Sequence, residues 1–181
     1  HAEYILRKGS KDLGSHTLEG SRPGMAMLVH ACLNVISRKG YEMLIDKSLK
    51  KARYFADLIK SEPDFELISE PELCLLTYRY VPEKIQTLLK TADEETRMDI
   101  YIALNRFTAS MQKRQRESGR SFVSRTRLTP LQYQKLPTVV FRVVLANPLT
   151  SEVILKNILA EQKELAQSDP IFKKYLQKYL D

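Results

Sequence analysis

Arg142 interrupts the otherwise apolar run Phe141-Arg142-Val143-Val144-Leu145-Ala146-Asn147-Pro148. A guanidinium buried in such a strand demands a carboxylate or phosphate partner, since an unpaired charge there costs several kcal/mol. That partner is either a structural carboxylate or a bound substrate. A second stretch able to meet an anion is Leu18-Glu19-Gly20-Ser21-Arg22-Pro23-Gly24. It sets an arginine and two glycines at a loop-to-helix junction, where backbone can approach a ligand closely and a helix N-terminus favours negative charge. Other self-sufficient chemistry is missing from the string. His1, His16 and His30 lie far apart in sequence and suggest no metal site; His30, inside an apolar helical run, reads as a packing residue. Ser110, Ser118 and Ser121 have no G-x-S-x-G elbow around them, and neither a Walker nor a G-x-G-x-x-G pattern occurs.

The elements that position these residues follow from hydrophobic period and punctuation. Tyr4 to Gly24 reads as a Gly/Ser-rich loop. Pro23 suits a first helical turn, and Met25, Leu28, Cys32, Val35 and Ile36 then recur at helical spacing, which predicts a helix ending near Gly40. A second helix is expected over residues 41–61, with Ile45, Leu49, Ala52, Ala56 and Ile59 in one stripe and Pro63 as its stop. The period then shortens to that of strands: one from Phe65, a turn through Glu70-Pro71-Glu72, and a second over Leu73 to Val81. Asp93-Glu94-Glu95 begins a helix running to Gly119. Strands follow at 121–128 and 138–145, linked through Pro130 and Pro137, and then a helix capped by Thr150 or Ser151. Asp169-Pro170 opens a last short helix. The expected class is α+β, a small antiparallel sheet covered by helices and preceded by a helical arm.

Composition narrows the function classes. With 43% hydrophobic and 28% charged residues, the 181-residue chain is neither low-complexity nor wholly disordered. Its longest apolar stretch, Met25 to Ile36, is broken by His30 and Asn34, so no membrane partner is expected. The net charge of +7 concentrates around Lys113, Arg114, Arg116, Arg120, Arg125 and Arg127. That stretch has only Phe122 as a stacking aromatic and matches no recognised module, so no nucleic-acid partner is expected. Cys32 and Cys74 offer no disulfide framework; both are expected to be buried small hydrophobes in a reducing cytoplasm. The start, His1-Ala2-Glu3-Tyr4, lacks the features of a signal peptide and reads as the interior of a longer chain.

Taken in order, Tyr4-Ile5-Leu6, the Gly/Ser-rich loop, Leu18-Glu19-Gly20-Ser21-Arg22-Pro23, the helix through Lys39-Gly40-Tyr41 and the Phe141–Pro148 string form a pattern. It resembles the C-terminal part of group II pyridoxal-phosphate-dependent amino-acid decarboxylases. That family includes enzymes for glutamate, aspartate, cysteine sulfinate, diaminobutyrate and aromatic amino acids. The F-R-V-V-x-x-N-P string followed by a capped helix is most similar to the glutamate and cysteine-sulfinate members. The resemblance implies a fold-type-I enzyme that uses pyridoxal 5'-phosphate and releases carbon dioxide from an L-amino acid, an acidic one such as glutamate or aspartate. Implied partners are the amino-acid substrate, an upstream large domain and a second subunit of a cytoplasmic homodimer. On this reading residues 1–24 are the catalytic-loop and junction segment, 25–62 the helical end of the large domain with its linking helix, and 63–181 the small domain.

Roles transfer by position. Tyr4 matches the mobile-loop tyrosine that returns a proton to the substrate Cα, a task suited to a phenol that stays neutral at pH 7. Arg142 matches the small-domain arginine that binds a substrate carboxylate, for which a planar fork is suited. Gly20, Ser21 and Arg22 match a junction close to the active site and the dimer interface. The family's Schiff-base lysine follows a histidine, and His-Lys occurs nowhere in this sequence. The chain alone is therefore expected to be inactive. The alternatives are a fragment of a diaminobutyrate or aromatic amino-acid decarboxylase, or a noncatalytic dimerisation or regulatory module.

Overall fold

A computed structural model of the chain describes residues 23–180. Helical backbone runs over Met25–Ser61 (α1), broken at Ser37, where φ is 64° and ψ 166°. A non-glycine residue holds such a conformation only under strain. The break expected at Gly40 thus falls three residues earlier. Gly40 stays helical, and a Cβ there would lie 2.7 Å from Ile36 Cγ2, so its missing side chain admits Ile36 one turn back.

The chain divides into two compact units, His1–Met43 and Leu44–Asp181. In the first, the apolar residues of early α1 are exposed, Met27 at 73% and Val35 at 85%. His30 and Cys32 are exposed and Cys74 is half-buried, which corrects the expectation that all three pack inside. An apolar stripe is buried only where a complementary face meets it, and the described residues of this unit provide none for early α1.

The second unit is built on an antiparallel sheet of order β1-β2-β4-β3. Its strands are Phe65–Glu72 (β1), Leu75–Tyr80 (β2), Ser124–Leu128 (β3) and Thr138–Val144 (β4). β1 is an edge strand whose register against β2 shifts between Leu67 and Ser69 and again between Ser69 and Glu72. One face carries Leu76, Tyr78 and Phe141 into the core. Phe55 of α1 meets Tyr78 edge-on at 5.6 Å, and Tyr78 and Phe141, paired in register, stack at 5.3 Å. The buried Tyr78 hydroxyl donates to Gln162 at 3.1 Å, and burial holds that phenol far above its ordinary pKa.

Between β2 and β3 lie two helices, Glu83–Thr91 (α2) and Glu94–Ser118 (α3). α2 goes beyond the elements expected from the sequence; Ile85, Leu88 and Leu89 give it a short apolar face behind Pro82. Asp93 caps α3 by accepting from Thr96 N at 2.7 Å, and Gly119, at φ 70°, ends it in the left-handed cap that glycine favours. After β4 come Glu152–Ser168 (α4) and Pro170–Tyr175 (α5), capped by Ser151 and Asp169. Helices over an antiparallel sheet make the α+β class expected from the sequence. No helix among the described residues is long and apolar enough to cross a membrane. No group of three or more His, Cys, Asp or Glu among them could hold a metal ion.

Candidate functional site

Arg142 sits in β4 between Thr77 of β2 and Ser124 of β3, its Cα partners on either side. The Ser124 hydroxyl donates to the Arg142 carbonyl at 2.7 Å, holding the backbone beneath the side chain. Contrary to the expectation of a buried guanidinium, Arg142 is exposed, and its guanidinium has no hydrogen bond or ion pair among the described residues. Alternation along β4 explains this: Phe141 turns to the core and Arg142 to the other face. The structural ion pair considered for it from the sequence has no counterpart here. The arginine instead lines an open groove of about 530 Å³ with Phe122, Val144, Thr150 and Ile154. An accessible cationic fork beside apolar side chains can take a carboxylate whose carbon skeleton rests on them.

The string after Arg142 forms the edge of this groove. Lys51 of α1 donates to the Asn147 carbonyl at 2.7 Å, the Asn147 amide oxygen accepts from Leu149 N at 2.9 Å, and Ser151 then caps α4. The Asn-Pro turn is thereby closed on itself, tied to α1 and followed within three residues by the α4 cap. Tyr4, Gly20, Ser21 and Arg22 lie outside the described residues.

A second arginine, which sequence reasoning passed over, is the one that is buried. Arg79 of β2 is fully buried, with one guanidinium nitrogen donating to Asn105 Oδ1 at 3.2 Å. Among the described residues its Nε and Nη1 find no close acceptor, and the guanidinium lies 5.2 Å from the centroid of the Tyr133 ring. Tyr133 donates a short hydrogen bond to Glu66, the residue opposite Arg79 in register. Burial lowers the Arg79 pKa, an effect opposed by Tyr133 and Glu66. Burial likewise raises the Glu66 carboxyl and the Tyr133 phenol. Arg79 and Arg142 share a face of the sheet, since Thr77 is two residues from one and paired with the other. The signal available in the sequence was an arginine within Leu73 to Val81, the same signal that singled out Arg142.

No lysine among the described residues is buried, so they supply no enclosed amine for an aldehyde cofactor; the described residues do not fit a pyridoxal-phosphate cradle. Residues 1–81 match the family described as pyridoxal-dependent decarboxylase conserved domain. The chain is 66% identical over 171 residues to an aspartate 1-decarboxylase of Aliivibrio fischeri, an alignment covering 94% of this chain and 31% of that protein. It is 26% identical over 129 residues to the cysteine sulfinic acid decarboxylase of Rattus norvegicus, covering 71% of this chain and 24% of that one. Among solved structures, that of mouse CSAD in apo form superposes with a TM-score of 0.67 at 21% identity, over 85% of this chain and 30% of its own. The chain thus spans about a third or less of the length of these relatives.

Proposed function

Because this chain belongs to the group II pyridoxal-phosphate-dependent decarboxylases, we propose that it is the C-terminal part of an L-aspartate decarboxylase in which Arg142 binds a substrate carboxylate. One observation carries the assignment of Arg142: a guanidinium of the F-R-V-V-x-x-N-P string that is exposed in a groove and has no partner among the described residues. Aspartate is chosen over glutamate because the relative at 66% identity is an aspartate 1-decarboxylase. Bound in the upstream domain, the cofactor would withdraw electrons from the substrate Cα. This chain's own part is to hold and orient the carboxylate through Arg142. Tyr4, by its match to the family's loop tyrosine, would return a proton to Cα after carbon dioxide leaves. Residues Gly20, Ser21 and Arg22 are assigned to the junction beside the site. The domain limits at 24 and 62, the homodimer and the cytoplasmic location belong to the same proposal and rest on the family resemblance.

The test joins the chain to its natural upstream sequence. A His-Lys pair in that sequence, cofactor absorbance and release of carbon dioxide from L-aspartate are expected. Their joint absence would leave the chain as a noncatalytic module. In the intact protein, Arg142→Ala should lower kcat/KM by roughly 30-fold to several thousand-fold, from about 2–5 kcal/mol for losing a charge-assisted pair at tenfold per 1.4 kcal/mol. Arg142→Lys should recover only part of this, because an ammonium cannot reproduce the planar fork. Unimpaired kinetics in the alanine variant would remove Arg142 from the site.

A further inference from the structure

We propose that the cavity between the end of α2, the first turns of α3 and the Gln132–Leu136 turn binds a small carboxylate with a short apolar chain. The cavity measures about 350 Å³. Arg97 and Tyr101 line it from α3, and their spacing of four stacks them on one helix face. Tyr101 is 7% exposed, yet its hydroxyl has no hydrogen-bond partner among the described residues. Arg97 Nη2 is held by the Ala92 carbonyl at 2.8 Å, which fixes the guanidinium, while its Nε is buried without a partner. Two donors withdrawn from water and left unsatisfied on residues that line the cavity carry a desolvation penalty that an acceptor reaching them would remove. A carboxylate offers two acceptor oxygens and the charge to match.

The surroundings favour the same ligand. Tyr133 also lines the cavity, and the Arg79 guanidinium lies 5.2 Å from the centroid of its ring. Lys90, Arg97 and Arg79 stand against the carboxylates of Glu94 and Glu66, leaving one positive charge in excess. Leu89, Met98 and Leu136 supply the apolar part of the lining, and Gln132 and Gln134 complete it. A lining that mixes the apolar side chains of Leu89, Met98 and Leu136 with the donors of Arg97 and Tyr101 suits a planar carboxylate head on a hydrocarbon chain better than a tetrahedral phosphate, which needs donors on more sides. This cavity shares no lining residue with the groove of Arg142. The inference stands apart from the decarboxylase reading.

Equilibrium dialysis of the intact protein with radiolabelled butyrate tests it. One saturable site per chain is expected, retained in Arg142→Ala and weakened at least tenfold in Arg97→Gln and in Tyr101→Phe, with cofactor content and melting temperature unchanged. Butanol, which lacks the charge, and inorganic phosphate should not displace butyrate at equal concentration. Butyrate binding that persists in both variants, or no saturable binding to the unaltered protein, overturns the site. Displacement by phosphate as effective as by unlabelled butyrate overturns the assignment to carboxylates. Should either variant lose its fold, Met98→Trp at the exposed rim fills the cavity while sparing both donors, and butyrate binding unchanged there overturns the proposal equally.

Discussion

Arg79 and Arg142 show how one local pattern leads to opposite environments. Both interrupt an apolar strand, both strands are interior to the sheet, and both side chains point to the same face. What separates them is the β3–β4 connection: its Tyr133 lies over Arg79, whereas Arg142 lines the open groove. No residue near either arginine in sequence reveals that cover, which reaches Arg79 from more than fifty positions away. The arginine pattern was therefore legible and the burial was not. Arg79→Met should cost about 3 kcal/mol, because it leaves Glu66 desolvated without the charge it faces. Adding Glu66→Gln should recover part of that, and urea melts of the two single variants and the double would show a non-additive cycle. Strict additivity would mean that the two residues do not interact. Glu66 also has a pH signature. Burial raises its carboxyl above the ordinary 4.5, so its contribution to stability is complete below that value and is lost as pH rises through the raised one. Melting temperature against pH should accordingly be flatter in Glu66→Gln than in the parent across this window. Parallel profiles would count against the assignment.

At the scale of elements, caps and punctuation were readable because they act on the nearest turn. Asp93, Gly119, Ser151 and the Asp169-Pro170 pair mark helix ends where the sequence sets them. Less was readable where a neighbour decides: α2 was missed because only nine residues carry its apolar face, and β3 begins at Ser124 rather than Ser121 because pairing with Arg142 of β4 starts there. Asp169 does more than cap. Its carboxylate is fully buried and accepts from Ile171 N at 2.8 Å, Phe172 N at 3.1 Å, Ser110 Oγ at 2.8 Å and Arg114 at 3.4 Å, joining α3 to α5. Asp169→Ala should destabilise by about 2–4 kcal/mol, combining a lost cap with buried donors left unpaired. Asp169→Asn, which keeps an oxygen at the cap, should lose about half as much. Chemical denaturation of both variants measures the difference, and equal losses would show that the charge rather than the cap is what matters.

For the whole molecule, the exposed apolar residues of early α1 set an expectation for the chain on its own. Patches of this kind rarely stay in water, so the isolated chain should self-associate and enhance the fluorescence of a hydrophobic dye. Met27→Lys with Val35→Glu should reduce both, as light scattering and dye titration would show; a monodisperse, dye-silent parent would contradict this. Offered pyridoxal phosphate and L-aspartate, the isolated chain should release no carbon dioxide, and turnover would sink the fragment reading. The two register shifts in β1 bear on how the lineage can change in length. A residue inserted into β2 would exchange Tyr78 for Arg79 on the core face, forcing a guanidinium against Phe55 and Phe141. β1 lies at the sheet edge and already bulges, so an added or deleted residue there can be absorbed by moving a bulge. Natural indels among homologous genes should therefore gather between Leu67 and Leu73 and be purged from Leu75 to Tyr80.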